Sequence, residues 1–300
     1  MTAALRMVET PTLSLGCLVG GLETGRPVML LHGWPDDATT WDALLPALHE
    51  AGYRTIAPFH RGHGPTRFHD GTTMRSGEIV ALAQDMLDLA DALQLERFAV
   101  VGHDWGARIA YTLACVAPER IAGIAALSVG WNGNDPNQPI SLPQTQAYWY
   151  QWLMALDRGA DLVRTDRRDY TRHIWSIWNP GWTVPDALFD AVAASFDNPD
   201  WADITLHSYR VRWELAPKDP AYAHLAERVS QDPVIGVPTL MLQGDADPCG
   251  LPETSEGKET LFSGRYERVL LDDVGHFPQR QSPDLVLDAL LPFLAGTYPA

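Results

Sequence analysis

Short apolar runs alternate with segments of helical periodicity, and this alternation constrains the fold more than any other feature of the 300-residue sequence. The runs are residues 28–31, 54–57, 98–101, 121–127, 239–242 and 268–271, each short enough to be a buried strand. Between them, residues 41–50, 79–93 and 107–116 carry apolar side chains at i, i+3, i+4 and i+7. Strands covered on both faces are apolar throughout, so the pattern predicts an α/β protein with a mostly parallel sheet flanked by helices. Met7-Val8 and residues 13–19 have no helix between them and are expected to form an antiparallel hairpin at the sheet edge.

The alternation stops near Trp131 and resumes near Val237. The intervening stretch opens with WNGNDPNQPISLPQ and continues as helix-like sequence holding eight of the eleven tryptophans. The expected organisation is a core of residues 1–130 and 229–300, with residues 131–228 inserted as a helical cap. Part of the tryptophan density is what any small helical subdomain needs to build its own core.

Composition narrows the function. With 46% hydrophobic and 20% charged residues the chain is globular, not disordered. A formal charge of −16 with only Lys218 and Lys258 as lysines works against nucleic acid and against an anionic membrane as partners. A small neutral or weakly polar ligand suits it better. Cys17, Cys115 and Cys249 form no CxxC or metal-ligand spacing and read as free thiols. No leader-like segment and no stretch of about 18 apolar residues occurs, so a cytoplasmic protein is expected, and a homodimer is allowed.

The chemistry is concentrated at Gly102-His103-Asp104-Trp105-Gly106, between the run 98–101 and the helical segment from Ala107. Flanking glycines permit a strained strand-to-helix turn, which lifts the central side chain above the sheet at the positive end of the next helix. Taken alone, Asp104 could be a helix N-cap. Three further segments give it company. His32-Gly33-Trp34-Pro35 follows the run 28–31, Gly244-Asp245-Ala246-Asp247 follows 239–242, and Gly275-His276-Phe277 follows 268–271. The order acid, acid, histidine is that of nucleophile, acid and base in hydrolases, with aspartate in the usual place of serine.

On these motifs the chain resembles the α/β-hydrolases over nearly its whole length, and within them the branch with an aspartate nucleophile, epoxide hydrolases and haloalkane dehalogenases. The resemblance implies Asp104 as nucleophile, Asp247 orienting His276 as base, and the N–H groups of Trp34 and Trp105 as the oxyanion hole. It implies no cofactor and no metal. Aspartate has a chemical logic here: a serine attacking saturated carbon would leave an ether, whereas a carboxylate leaves an ester that activated water can cleave.

Ring opening of an epoxide releases a basic alkoxide and needs a hydroxyl acid nearby, whereas halide release needs only N–H donors. Tyr150-Gln151 and His207-Ser208-Tyr209-Arg210 resemble the lid tyrosine segments of epoxide hydrolases. The implied activity is hydrolysis of a small apolar or aromatic epoxide to a vicinal diol, with Tyr150 and Tyr209 as ring-opening acids that also bind substrate together with Trp105. Tyr148, two residues before Tyr150, competes for the first role. The alternatives are a haloalkane dehalogenase with the same nucleophile and a non-catalytic ligand-binding member of the fold. The chain departs from the family's D-x-R-G-x-G segment, where Phe59 stands at the aspartate position of Phe59-His60-Arg61-Gly62-His63-Gly64.

Overall fold

A computed structural model describes residues 3–132 and 139–298. Residues 133–138, at the start of the expected insertion, lie outside the described residues. β1 (Ala4–Glu9) and β2 (Leu13–Gly20) pair antiparallel at the sheet edge, Ala4 opposite Val19 and Glu9 opposite Ser14. β2 also pairs antiparallel with β3's neighbour in space, β4 (Tyr53–Pro58), and with the two-residue β5 (Arg67–Phe68). From β4 onward every neighbour is parallel, in the order β4, β3 (Arg26–Leu31), β6 (Phe98–His103), β7 (Ile121–Leu127), β8 (Thr239–Gly244), β9 (Tyr266–Leu271). The expected alternation and edge hairpin are what the chain forms.

The central strands are buried because both sheet faces are covered. Met29, Leu31, Phe98, Val100, Ile124 and Ala126 join one cluster with α2 (Ile79–Ala92) and α3 (Trp105–Val116). The alternate residues Val28, Leu30, Ala99, Val101, Ala125 and Leu127 join another with α1 (Leu45–Glu50) and, from the far end of the chain, Val286, Leu290 and Phe293. Side chains alternating across the strand axis feed two cores from one sheet.

The helix expected over 41–50 is shorter. A 3-10 turn covers Ala38–Trp41, capped by Asp37, whose Oδ1 accepts from Thr39 N at 2.9 Å. The α-helix starts only at Leu45, with Pro46 in its first turn, where a residue without an N–H leaves no helical bond unmade.

Between β7 and β8 the chain leaves the sheet and forms α4 (Leu142–Ala147), α5 (Trp149–Ala155), α6 (Asp157–Thr165), α7 (Arg167–Trp178), α8 (Asp186–Ala193) and α9 (Trp201–Arg212). α10 (Ala223–Gln231) follows and packs Leu225 with Ala81 of α2 and Val116 of α3. α11 (Pro278–Gln281) and α12 (Pro283–Thr297) close the fold. Trp175, Trp178 and Trp201 are buried, in the same cluster as the sheet face below them. The inserted helices are also tied down by polar contacts: Trp175 Nε1 donates to Pro35 O at 2.6 Å, and Ser195 Oγ to Asp37 Oδ2 at 2.5 Å. Among the described residues no helix is long and apolar enough to cross a membrane.

The loop after β4 is built without the usual aspartate. Phe59 is buried, its carbonyl accepting from Thr66 Oγ1 at 2.6 Å, and Thr66 Oγ1 in turn accepts from Gly16 N at 3.1 Å. Arg61 is fully buried and held by Asp85 of α2 through two bonds of 2.7 Å. His60 N–H donates to His32 Nε2 at 3.1 Å and His60 Nε2 donates to His32 O at 3.0 Å, so His32 is neutral.

Burial keeps this histidine layer uncharged: His60 is lowered to about 3, His63 to about 4 and His32 well below its usual value. The unfolded chain takes up these protons near pH 6.5, whereas the fold refuses them until about pH 4 or lower. Stability is therefore present above pH 6.5 and declines as pH falls through the window from 6.5 to 4. Urea denaturation between pH 7.5 and 4.5 should show a falling midpoint and proton uptake on unfolding, with a shallower slope in His60→Gln; a flat midpoint would contradict the neutral layer.

Candidate active site

The turn between β6 and α3 is fixed by close packing of backbone. A Cβ on Gly102 would lie 2.1 Å from Gly106 O, and one on Gly106 would lie 2.0 Å from Leu31 O, so neither position admits a larger residue without displacement. Asp104 at the apex has φ +50° and ψ −109°, a conformation that costs a non-glycine residue of order 1–3 kcal/mol. Its N–H donates to Leu127 O at 3.2 Å, and the side chain turns toward the loop after β3. There Trp34 N–H donates to Asp104 Oδ1 at 2.9 Å. Trp34 is followed by a cis peptide to Pro35. Trp105 is the first residue of α3, where backbone N–H groups have no partner within the helix.

On the other carboxylate oxygen, Asp104 Oδ2 faces His276 Nε2 at 3.8 Å, an ion-pair distance too long for a hydrogen bond. His276 Nδ1 donates to Asp247 Oδ2 at 2.8 Å. Asp247 is buried and fully engaged: Oδ1 accepts from Cys249 N at 2.8 Å and Gly250 N at 3.0 Å, and Oδ2 also accepts from Gln243 Nε2 at 3.2 Å. Asp245 takes a different part, accepting Asp273 N–H at 2.7 Å in the neighbouring turn. The His276 backbone is held at both ends. Its N–H donates to Trp178 O at 2.9 Å, and its carbonyl accepts from His103 Nε2 at 2.7 Å and Ser128 Oγ at 2.8 Å.

These charges set one another's protonation. Burial lowers the proton affinity of His276, but Asp247 and then Asp104 outweigh it and raise the imidazole to about 9. Burial likewise raises Asp104, but the His276 imidazole, His103 and the Trp34 N–H together bring the carboxyl down to about 2. At neutral pH the resting arrangement is an imidazolium between two carboxylates.

Aromatic side chains roof this group. Tyr150 stacks on Trp34 with centroids 5.9 Å apart, and Tyr209 lies 5.5 Å from Tyr150, 5.2 Å from Trp34 and 5.8 Å from Trp105. Burial, with a contribution from the Asp104 charge, pushes both phenols well above their usual range, so they are donors at neutral pH. Trp178 lies edge-on to the His276 ring at 4.8 Å. All seven residues singled out in the sequence thus occupy one cluster. Tyr148 lines the same cavity as Asp104 and Tyr150 and packs on Trp152 and Trp213.

Three cavity residues escaped the sequence reading. Gln151 Nε2 donates to Tyr150 Oη at 2.8 Å, and Cys249, read only as a free thiol, places Sγ 3.6 Å from the same oxygen. Arg108 lies four residues after Asp104 on α3 and lines the cavity with it. A signal for Arg108 existed, since it is the single charged residue in the helix WGARIAYTLACV.

Replacing Asp104 by Asn removes one of the two charges that hold the His276 proton. The imidazole of Asp104→Asn should titrate clearly below the value of about 9 expected for the parent, as followed by NMR. An unchanged titration would mean that Asp247 alone sets it.

Residues 26–283 match the family model of the alpha/beta hydrolase fold. The sequence is 30% identical to epoxide hydrolase A of Mycobacterium tuberculosis over 97% of both chains. Among solved structures, a candidate epoxide hydrolase of Klebsiella pneumoniae subsp. pneumoniae superposes with a TM-score of 0.91 at 33% identity over 96% of each chain. Epoxide hydrolase A from Mycobacterium thermoresistibile gives 0.72 at 28% identity, covering 98% of this chain and 99% of its own.

Proposed function

Because the chain belongs to the α/β-hydrolase family, we propose that it is an epoxide hydrolase working through a covalent ester on Asp104, with residues 1–130 and 229–300 as the catalytic core and 131–228 as its cap. What carries the proposal is a carboxylate at the nucleophile turn, 3.8 Å from a histidine backed by a second carboxylate, beneath two buried tyrosines.

In the first half-reaction Asp104 Oδ2 attacks a ring carbon, leaving Oδ1 on the Trp34 N–H as the ester carbonyl oxygen. The carbon–oxygen bond of the ring breaks, its electron pair stays on oxygen, and Tyr150 or Tyr209 supplies the proton. The product is a hydroxyalkyl ester and a phenolate. Esterification removes the Asp104 charge, and with it one of the two interactions that hold His276 cationic. The imidazolium then gives up its proton, restoring the phenol, and becomes a neutral base.

In the second half-reaction His276 Nε2 takes a proton from water as hydroxide adds to the ester carbonyl. The Trp34 N–H, 2.9 Å from the carboxylate oxygen, and the Trp105 N–H stabilise the oxyanion. Collapse breaks the acyl carbon–oxygen bond and the leaving alkoxide takes the proton from His276. The acid left on Asp104 returns its proton to the imidazole, so one epoxide and one water yield one diol. The scheme uses no cofactor or metal.

The haloalkane reading would be supported by a Tyr209 pointing away from the pocket, and the position of its ring beside Tyr150 and Trp105 favours the epoxide. His276→Ala should accumulate the ester. Intact-protein mass spectrometry with epoxide and haloalkane panels is expected to give an adduct equal to the whole epoxide, mapped to Asp104. An adduct equal to a haloalkane less its hydrogen halide, without an epoxide adduct, would move the assignment to dehalogenase. Tyr209→Phe should slow adduct formation by roughly 10²-fold.

A further inference from the structure

The cavity beside Asp104 contains a cation that no described residue pairs. Arg108 stands one turn after Asp104 on α3, its N–H bonded to Asp104 O at 3.1 Å, and its side chain joins Asp104, Tyr148, Tyr150 and His276 in the cavity lining. Its Nε is buried with no hydrogen-bond partner, and among the described residues no carboxylate lies within ion-pair distance of the guanidinium. The fold treats Arg61 and Arg280 differently. Arg61 is held by Asp85 through bonds of 2.7 Å, and Arg280 by Asp36 through bonds of 2.8 and 2.6 Å. A guanidinium N–H withdrawn from water without an acceptor is unfavourable, so the half-buried Arg108 with its buried Nε calls for a counter-charge.

A second cation makes the need greater. Arg212 lines the same cavity, its guanidinium 4.9 Å above the Tyr209 ring, with only a long 3.4 Å bond from Nη1 to Gln151 Oε1. After burial itself, Arg212 is the largest influence lowering the proton affinity of Arg108. Arginine nevertheless stays charged. Both guanidiniums also line a groove between α2, α9 and α10, where Lys218 stands. The carboxylate in that groove, Glu78, forms no ion pair with them; its Oε2 accepts from Asp219 N at 2.6 Å and Ser76 Oγ at 3.1 Å. In a chain of net charge −16, three cations on one approach to the nucleophile, none with an ion-pair partner among the described residues, are a local exception.

We propose that the substrate is an epoxide carrying a carboxylate, which Arg108 binds by charge-assisted hydrogen bonds while Arg212 adds its charge. This rests on the epoxide hydrolase reading above and replaces a purely apolar guest with an amphipathic one: the ring carbons meet Trp34, Tyr150 and Tyr209, and the anion meets the arginines. Four residues of helix advance about 6 Å, and helical side chains lean toward the N-terminus, so only a few bonds separate the carboxylate from the ring.

The test compares 3-phenylglycidate with 3-phenylglycidamide, its neutral isostere, as substrates. The parent protein should favour the acid by roughly ten- to a hundred-fold in kcat/KM, mostly through KM, as a hydrogen bond between charged groups implies. That ratio should collapse toward one in Arg108→Gln and be partly restored in Arg108→Lys. A parent that turns over the amide as well as the acid, or an Arg108→Gln that lowers both alike, would overturn the proposal. Binding is read separately by tryptophan quenching with 3-phenylpropanoate and 3-phenylpropanamide. Preference for the anion without turnover of any epoxide would leave the anion site standing and sink the epoxide reading; no preference would sink the anion site, whatever turns over.

Discussion

Everything at this site depends on how closely the backbone packs where β6 becomes α3. Gly102 lies against the Gly106 carbonyl, and Gly106 against Leu31 of β3, at separations that no Cβ could share. With the turn pinned to its neighbouring strand, Asp104 has no relaxed alternative and its carboxylate is delivered above the sheet edge. The parallel arrangement does the rest. In such a sheet the loops after the strands all emerge on one side, so the ends of β3, β6, β8 and β9 bring Trp34, Asp104, Asp247 and His276 to a common point although 242 residues separate the first from the last.

The parts legible in the sequence were those that a strand end or a backbone constraint dictates. The central strands could be read because burial on both faces leaves them apolar throughout, and Trp34, Asp104, Trp105, Asp247 and His276 each follow such a run. The α1 segment was overextended because its apolar spacing continues through Trp41 and Leu44, whereas Pro46 fixes where helical bonding starts. Tyr150 and Tyr209 carry no periodic signal, and only resemblance pointed to them. Arg108 was visible as an odd charge on an apolar helix, but its meaning lies in the lack of a partner, which is a property of the tertiary structure alone.

The inserted helices do more than cover the site. The Trp178 carbonyl fixes the His276 amide and the Trp178 ring borders its imidazole, so the base is positioned from above by the insertion and from below by Asp247. The Trp175 and Ser195 contacts fasten the same segment to the loop after β3, which carries the Trp34 N–H. Asp104, His276 and the Trp34 N–H, the proposed nucleophile, base and oxyanion donor, therefore share a common frame, and a change in the inserted helices would be felt by each of them.

Charge balance connects the proposed cycle with the unpaired arginines. At rest Asp104 and Asp247 are opposed by His276, Arg108 and Arg212, leaving one positive charge in excess around the cavity. A carboxylate substrate brings the group to neutrality. Formation of the ester removes the Asp104 charge, and loss of the His276 proton removes an opposite one, so neutrality persists while the imidazole changes from ion-pair partner to base. A neutral substrate would leave the excess uncompensated at both stages. The same arrangement that makes an anionic substrate welcome thus keeps the local field constant through the step in which the nucleophile disappears.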